Sequence, residues 1–251
     1  MINNQQGIRK EYQIAEHING KKLKEMSSNI ASMLQVIFKD ANDDSIFKAE
    51  KIEGFQKPDI YVECNGEKHY ISLKSGSACR VHQENIHSFV KYLRECNIPE
   101  DVIETMYYQQ WCDGTLDGTG KRRMDYYETN NWLRSRIKRA NDVLNANKDF
   151  VKKTLYRCLF KGSFDTNTPA EYIYHGDIVH GVLVSREETV IWINIKDWAY
   201  MDNLHIGPLT LKPHARYSDV EIVREKSRIT LDFKWANMFS DMIYIAEHYR
   251  F

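Results

Sequence analysis

The chain has 251 residues with 42% hydrophobic and 28% charged content, and its 35 Lys and Arg balance its 35 Asp and Glu to a formal net charge of zero. That composition is ordinary for a soluble globular protein, and the chain has no internal repeat and no low-complexity tract. The charge balance also removes net charge as an argument for a nucleic-acid partner, so the distribution of charge has to carry that question.

No apolar run approaches the roughly 18 residues that suggest a membrane span, and the start MINNQQGIRKEY lacks the apolar segment of a signal peptide. The expectation is a cytoplasmic protein with no membrane partner. The 5 cysteines form no C-x-x-C pair, which points to reduced thiols rather than disulfides or a zinc site.

In chain order, residues 8–38 read as one or two helices, with Leu23, Met26, Ile30, Met33, Leu34 and Ile37 at helical spacing. A polar break over Lys39–Asp44 precedes a strand over Ile46–Ile52. The next stretch, KPDIYVECNGEKHYISLK from Lys57 to Lys74, is a hairpin: Asn65-Gly66 tolerates the positive φ that a type I′ turn needs at both central positions. A two-residue loop pairs Cys64 with Glu67, Val62 with His69 and Ile60 with Ile71, and so sets Asp59 opposite Ser72. Lys74, a diagonal neighbour, falls within reach of Asp59. Ile60, Val62, Ile71 and Leu73 take the other face, toward a helix.

A loop over Ser75–Arg80 leads to a helix carrying Ile86, Phe89, Val90 and Leu93 as its apolar stripe, with Glu84 in its first turn. His82 reads as a packed or hydrogen-bonded histidine. Pro99–Trp111 is a further helix opened by Glu100 and Asp101. Asp113–Gly120 is turn chemistry without the setting of a phosphate-binding loop.

From Lys121 to Lys161 basic residues greatly outnumber acids. Lys121, Arg122, Arg123, Arg134 and Lys138 are candidate contacts to a DNA backbone, and Arg80 is a further DNA-binding candidate. Lys212, His214 and Arg216, on or near short strands and turns of the C-terminal lobe, either read bases in a groove or solvate a sheet edge. After a polar break at Ser163–Pro169, strands are expected at Glu171–Tyr174, Val179–Val184, Ile206–Leu211, Val220–Val223 and Ile229–Lys234. A capped helix over Ser185–Trp198 and a final helix over Trp235–His248 complete the chain. The expected organisation is a core over residues 1–162, including the basic helical segment, and a C-terminal α+β lobe over 163–251 packed into the same domain.

Pro58-Asp59 followed by Ser72-Leu73-Lys74 resembles the PD-(D/E)xK nuclease superfamily. Ser72 stands where that pattern has an acid. One branch of type II restriction endonucleases is similar in keeping Ser-x-Lys on the strand and supplying the missing carboxylate from the helix that follows, for which Glu84 is the candidate. The resemblance implies a restriction-endonuclease-like α/β (mixed α+β) fold, a mixed β-sheet flanked by helices.

It further implies a Mg²⁺-dependent endonuclease acting on double-stranded DNA, with Mn²⁺ able to substitute. Asp59, Glu84 and the Leu73 carbonyl are then the metal ligands, Lys74 directs the attacking water, and Ser72 bonds a metal-held water. In that superfamily an acid from the first helix often assists. Glu25, Glu16 or Glu11 fits that role and nothing in the sequence separates them, Glu25 standing first. Symmetric cutting of both strands implies a homodimer. Two rival readings are a non-catalytic nucleic-acid-binding module of the same fold, with Asp59 and Lys74 as a surface ion pair, and a structure-selective DNA or RNA nuclease.

Overall fold

The computed structural model describes residues 2–54, 56–76, 79–121, 124–163, 168–198, 203–214 and 228–250. Arg122, Arg123, Arg216 and the strand expected at Val220–Val223 lie outside the described residues. The chain divides into two compact units, each assembled from separated stretches: the first from Met1–Cys79, Tyr156–Trp192 and Asn237–Phe251, the second from Arg80–Leu155 and Ile193–Ala236.

The first unit opens with helices α1 (Ile2–Ile18) and α2 (Ser28–Ile37), joined through a 3-10 turn at Leu23–Glu25. Ser27 caps α2 by accepting from the Ile30 amide. Strands β1 (Lys48–Lys51), β2 (Ile60–Cys64) and β3 (Glu67–Lys74) follow as an antiparallel meander. Asn65 and Gly66 have φ of 52° and 83°, the double positive φ of the expected turn. The register is Cys64 with Glu67, Val62 with His69 and Ile60 with Ile71.

The sheet is completed by β5 (Tyr172–Gly176), parallel to β3, and by β6 (Gly181–Ser185), antiparallel to β5, in the order β1-β2-β3-β5-β6. Helices α1 and α2 bury Ile14, Ile18, Ile30, Met33, Leu34 and Ile37 with Ile60, Val62 and Ile71 of the hairpin. The capped helix expected after Ser185 is α8 (Arg186–Ile195): Ser185 Oγ accepts from the Glu188 amide while Glu188 returns an acceptor to Ser185 N. The terminal helix α9 (Met238–Tyr249) packs Met242 and Ile245 inward and lies on β5 and β6.

In the second unit β4 (Cys79–Asn85), β9 (Thr230–Trp235), β8 (Leu209–Pro213) and β7 (His205–Ile206) form a sheet in that order. It carries α3 (Ile86–Glu95), α4 (Glu100–Trp111), α5 (Tyr126–Trp132), α6 (Arg134–Ala146) and α7 (Lys148–Leu155). Among the described residues, no helix is long and apolar enough to cross a membrane.

The expected mixed sheet flanked by helices is present, but three local expectations are corrected. Cys79–Asn85 is a strand rather than the start of a helix. The apolar stripe begins only at Ile86, and Asn85 ends the strand by capping α3, accepting from His87 N at 2.8 Å. Ile206–Leu211 is two strands, broken at Gly207, whose φ is 55°. The division into 1–162 and 163–251 also fails, because parallel β3 and β5 cannot be joined by a tight turn. Their long crossover carries the second unit as an excursion, and a second excursion leaves between α8 and α9.

Candidate active site

The hairpin builds the site at the carboxyl end of the parallel pair β3 and β5. Asp59 sits one residue before β2 and donates its amide at 2.9 Å to the carbonyl of Ile71, the residue that Ile60 already faces, so the ladder of β2 with β3 ends at Ile60 and Ile71. Its carboxylate oxygen Oδ2 accepts from the Leu73 amide at 2.5 Å and from Ser72 Oγ at 3.1 Å, and lies 3.3 Å from Lys74 Nζ. The ammonium also donates to Ser72 Oγ at 2.7 Å and to the Leu73 carbonyl at 2.9 Å. Ser72 is fully buried, whereas the Asp59 and Lys74 side chains are 21% and 14% exposed. Acid, hydroxyl and ammonium are therefore in mutual contact with a face open to solvent.

Glu11 of α1 is a helix acid whose charge is coupled to this cluster through space. Burial, and next the Asp59 carboxylate, push its carboxyl above the usual range, while Lys51 and Lys74 pull it down. Lys51 Nζ lies 3.8 Å from it. Of the other helix acids, Glu25 is used in the 3-10 turn, where it accepts from Lys22 N at 2.8 Å, and Glu16 lines a surface groove with Ile8, Arg9, Tyr12 and Gln13. Sequence periodicity could not separate these acids because all three lie on or near the same N-terminal helical stretch.

Glu84 belongs to the second unit, on β4, where it is buried and contacts His82 Nε2 at 2.8 Å. It is thus a strand residue and not a first-turn helix acid.

One residue beside the site had no signal in the sequence. His175 is the β5 partner of Lys74, its Nε2 lies 3.1 Å from the Gly76 carbonyl, and its ring meets Phe239 at 5.2 Å. Burial pushes its imidazole below the ordinary value, and its Nδ1 is buried without a hydrogen-bond partner among the described residues. Only the pairing of β3 with β5, about a hundred positions apart in the chain, brings it there.

Asp59 Oδ2 and the Leu73 carbonyl, both in contact with Lys74, offer oxygen donors, which suit a hard divalent cation such as Mg²⁺. Among the described residues no group of three or more His, Cys, Asp or Glu forms a ready-made cation cage.

The basic segment is partly neutralised by α4: Arg136 pairs with Glu104 at 3.3 Å and Arg139 with Asp101. Lys121, Arg134 and Lys138 remain exposed, Arg134 touching Asn131 at 3.2 Å. Arg80 is exposed and 3.9 Å from Asp232, and Lys212 on β8 is half-buried.

The mixed sheet and its flanking helices define a restriction-endonuclease-like fold. In a comparison of structures the chain is similar to the restriction endonuclease MspI, solved in complex with its cognate DNA, with a TM-score of 0.51 over 82% of this chain and 76% of that one, at 11% identity. No protein-family model matches the sequence, and no curated protein matches it.

Proposed function

We propose that the protein is a Mg²⁺-dependent endonuclease of the type II restriction kind that hydrolyses phosphodiester bonds in double-stranded DNA. The observation that carries this reading is the contact of Asp59, Ser72 and Lys74 at one end of a restriction-endonuclease-like sheet. The fold neighbour's capture with its cognate DNA supports DNA as the substrate.

Asp59 and the Leu73 carbonyl would hold Mg²⁺, or Mn²⁺ in its place, and Glu11 rather than Glu84 would supply the second carboxylate. When bound, the cation acidifies water and neutralises charge on the phosphoryl oxygens. Lys74 has three oxygen neighbours in Asp59, Ser72 and Leu73, so its ammonium is held at the edge of the donor set, ready to orient the attacking water. Ser72 restrains Lys74 and keeps Asp59 aligned. Replacing the usual acid by this neutral hydroxyl leaves Asp59 and Lys74 balanced in charge, and the additional negative charge comes from Glu11. Lys121, Arg134, Lys138 and Lys212 would contact phosphates, and a double-strand cut at a symmetric site requires two copies of the chain.

Supercoiled plasmid incubated with Mg²⁺ tests the reading. Wild type should nick and linearise it, whereas Asp59→Ala and Lys74→Ala should not. Equal cleavage by all three proteins would remove the site assignment. Absence of cleavage by wild type, with duplex binding retained, would favour a non-catalytic module.

A further inference from the structure

The sheet of the second unit carries a polar row that the cleavage site does not use. On one face Leu211 and Phe233 are cross-strand partners, and Phe233 meets Phe89 of α3 at 4.8 Å. Strand alternation turns Asp232 and its β8 partner Lys212 to the opposite face. Asp232 is 3% exposed, and a carboxylate so buried is costly unless its oxygens are matched by donors. Gln83 Nε2 donates to it at 2.7 Å, His214 Nδ1 lies 3.2 Å from both oxygens, and the Arg80 guanidinium stands 3.9 Å away. Gln83, His214 and Arg80 are nevertheless exposed residues.

One buried acid therefore gathers the inner ends of an amide, an imidazole and a guanidinium whose outer edges face solvent. Exposed Arg and Gln side chains ordinarily lose rotamer entropy when they bind, and ordering them beforehand reduces that loss. A face that only meets water has no use for such order. A face that reads hydrogen-bonding edges does.

We propose that Arg80, Gln83 and His214, held by Asp232, read base edges in the major groove of duplex DNA and so determine which sequence is cut; this rests on the endonuclease reading above. The guanidinium donors of Arg80 match O6 and N7 of guanine. The amide oxygen of Gln83 suits the exocyclic amine of adenine or cytosine, and Lys212 supplies charge to the adjoining backbone. The major groove of B-form DNA admits a strand pair, whereas that of A-form RNA is too narrow for side chains to read.

The test is digestion of a randomised-sequence duplex library with the full-length protein and Mg²⁺, followed by sequencing of the cut ends. Wild type should select a defined site. Gln83→Leu and Arg80→Ala should each relax discrimination at one base pair by about ten- to a hundredfold, through slower cutting of the original site and with the preference at other positions unchanged. Lys138→Ala, away from the row, should lower cutting at all sequences alike. Should Arg80→Ala melt early, Arg80→Lys keeps the charge, loses the planar fork and is expected to relax the same position.

Cleavage with an unchanged site preference in these variants would overturn the base-reading assignment while leaving the endonuclease reading intact. So would a uniform fall at every sequence, or equal cutting of duplex RNA. No cleavage of DNA by wild type would remove both.

Discussion

Ser72 Oγ lies 2.7 Å from the Lys74 ammonium while donating to Asp59 Oδ2 at 3.1 Å, so one fully buried hydroxyl links acid and base across the hairpin. A serine where the related pattern has a carboxylate thus holds the other two groups in register. It contributes orientation rather than charge.

Ser72→Ala should therefore leave the fold and lower the rate. Loss of a buried hydroxyl with two partners is expected to destabilise by about 1–2 kcal/mol. Single-turnover cleavage at saturating Mg²⁺ should fall by about tenfold as Lys74 loses a restraint. Lys74→Arg should not restore a Lys74→Ala protein, since the planar fork cannot occupy the same three-oxygen corner.

Glu11→Gln should separate stability from activity. The Glu11 carboxyl is raised from 4.5 by burial and by Asp59, so the folded state binds a proton more readily than the unfolded one. Its contribution to stability accordingly falls as pH rises from the unfolded value through the folded one. Melting of Glu11→Gln without divalent metal should match wild type at pH 4 and exceed it at pH 7, while Mg²⁺-dependent cleavage is reduced.

Mg²⁺ or Mn²⁺ should raise the melting temperature of wild type in proportion to the logarithm of its concentration, because a ligand of the native state stabilises it. Asp59→Ala should abolish that shift. A shift of equal size in the variant would mean that the cation binds elsewhere.

His175 and His205 are held below 6.5 by burial. Their unfolded forms take up protons that the folded forms refuse, so stability should be full above that value and decline as pH falls from it toward the folded values. Urea midpoints measured between pH 7.5 and pH 5 should show this decline, and His175→Asn should remove part of it.

Gly66→Ala tests the hairpin itself. No side-chain clash awaits a Cβ there, but φ is 83°. Forcing a non-glycine residue into that region should cost about 1–2 kcal/mol, measurable by denaturant unfolding.

Asn65-Gly66 determined the register of the hairpin from sequence alone, because the turn is local and the side-chain period of a strand is two, so Asp59, Ser72 and Lys74 were legible together. The capping box at Ser185 and Glu188 and the helix after Pro99 were legible for the same reason: each depends on neighbours a few positions apart. The start of α3 was misjudged because the residues before Asn85 are held as a strand by β9, far along the chain. The basic stretch was legible as a run of charge, but its partial neutralisation by Glu104 and Asp101 of α4 was not. Only tertiary structure coupled the Glu11 charge to Asp59, set Glu84 on a strand of the second unit, and brought His175 beside Lys74. Those relationships depend on how α1 lies against the sheet and on a parallel pairing across a long crossover, and neither leaves a periodic trace in the residues it joins.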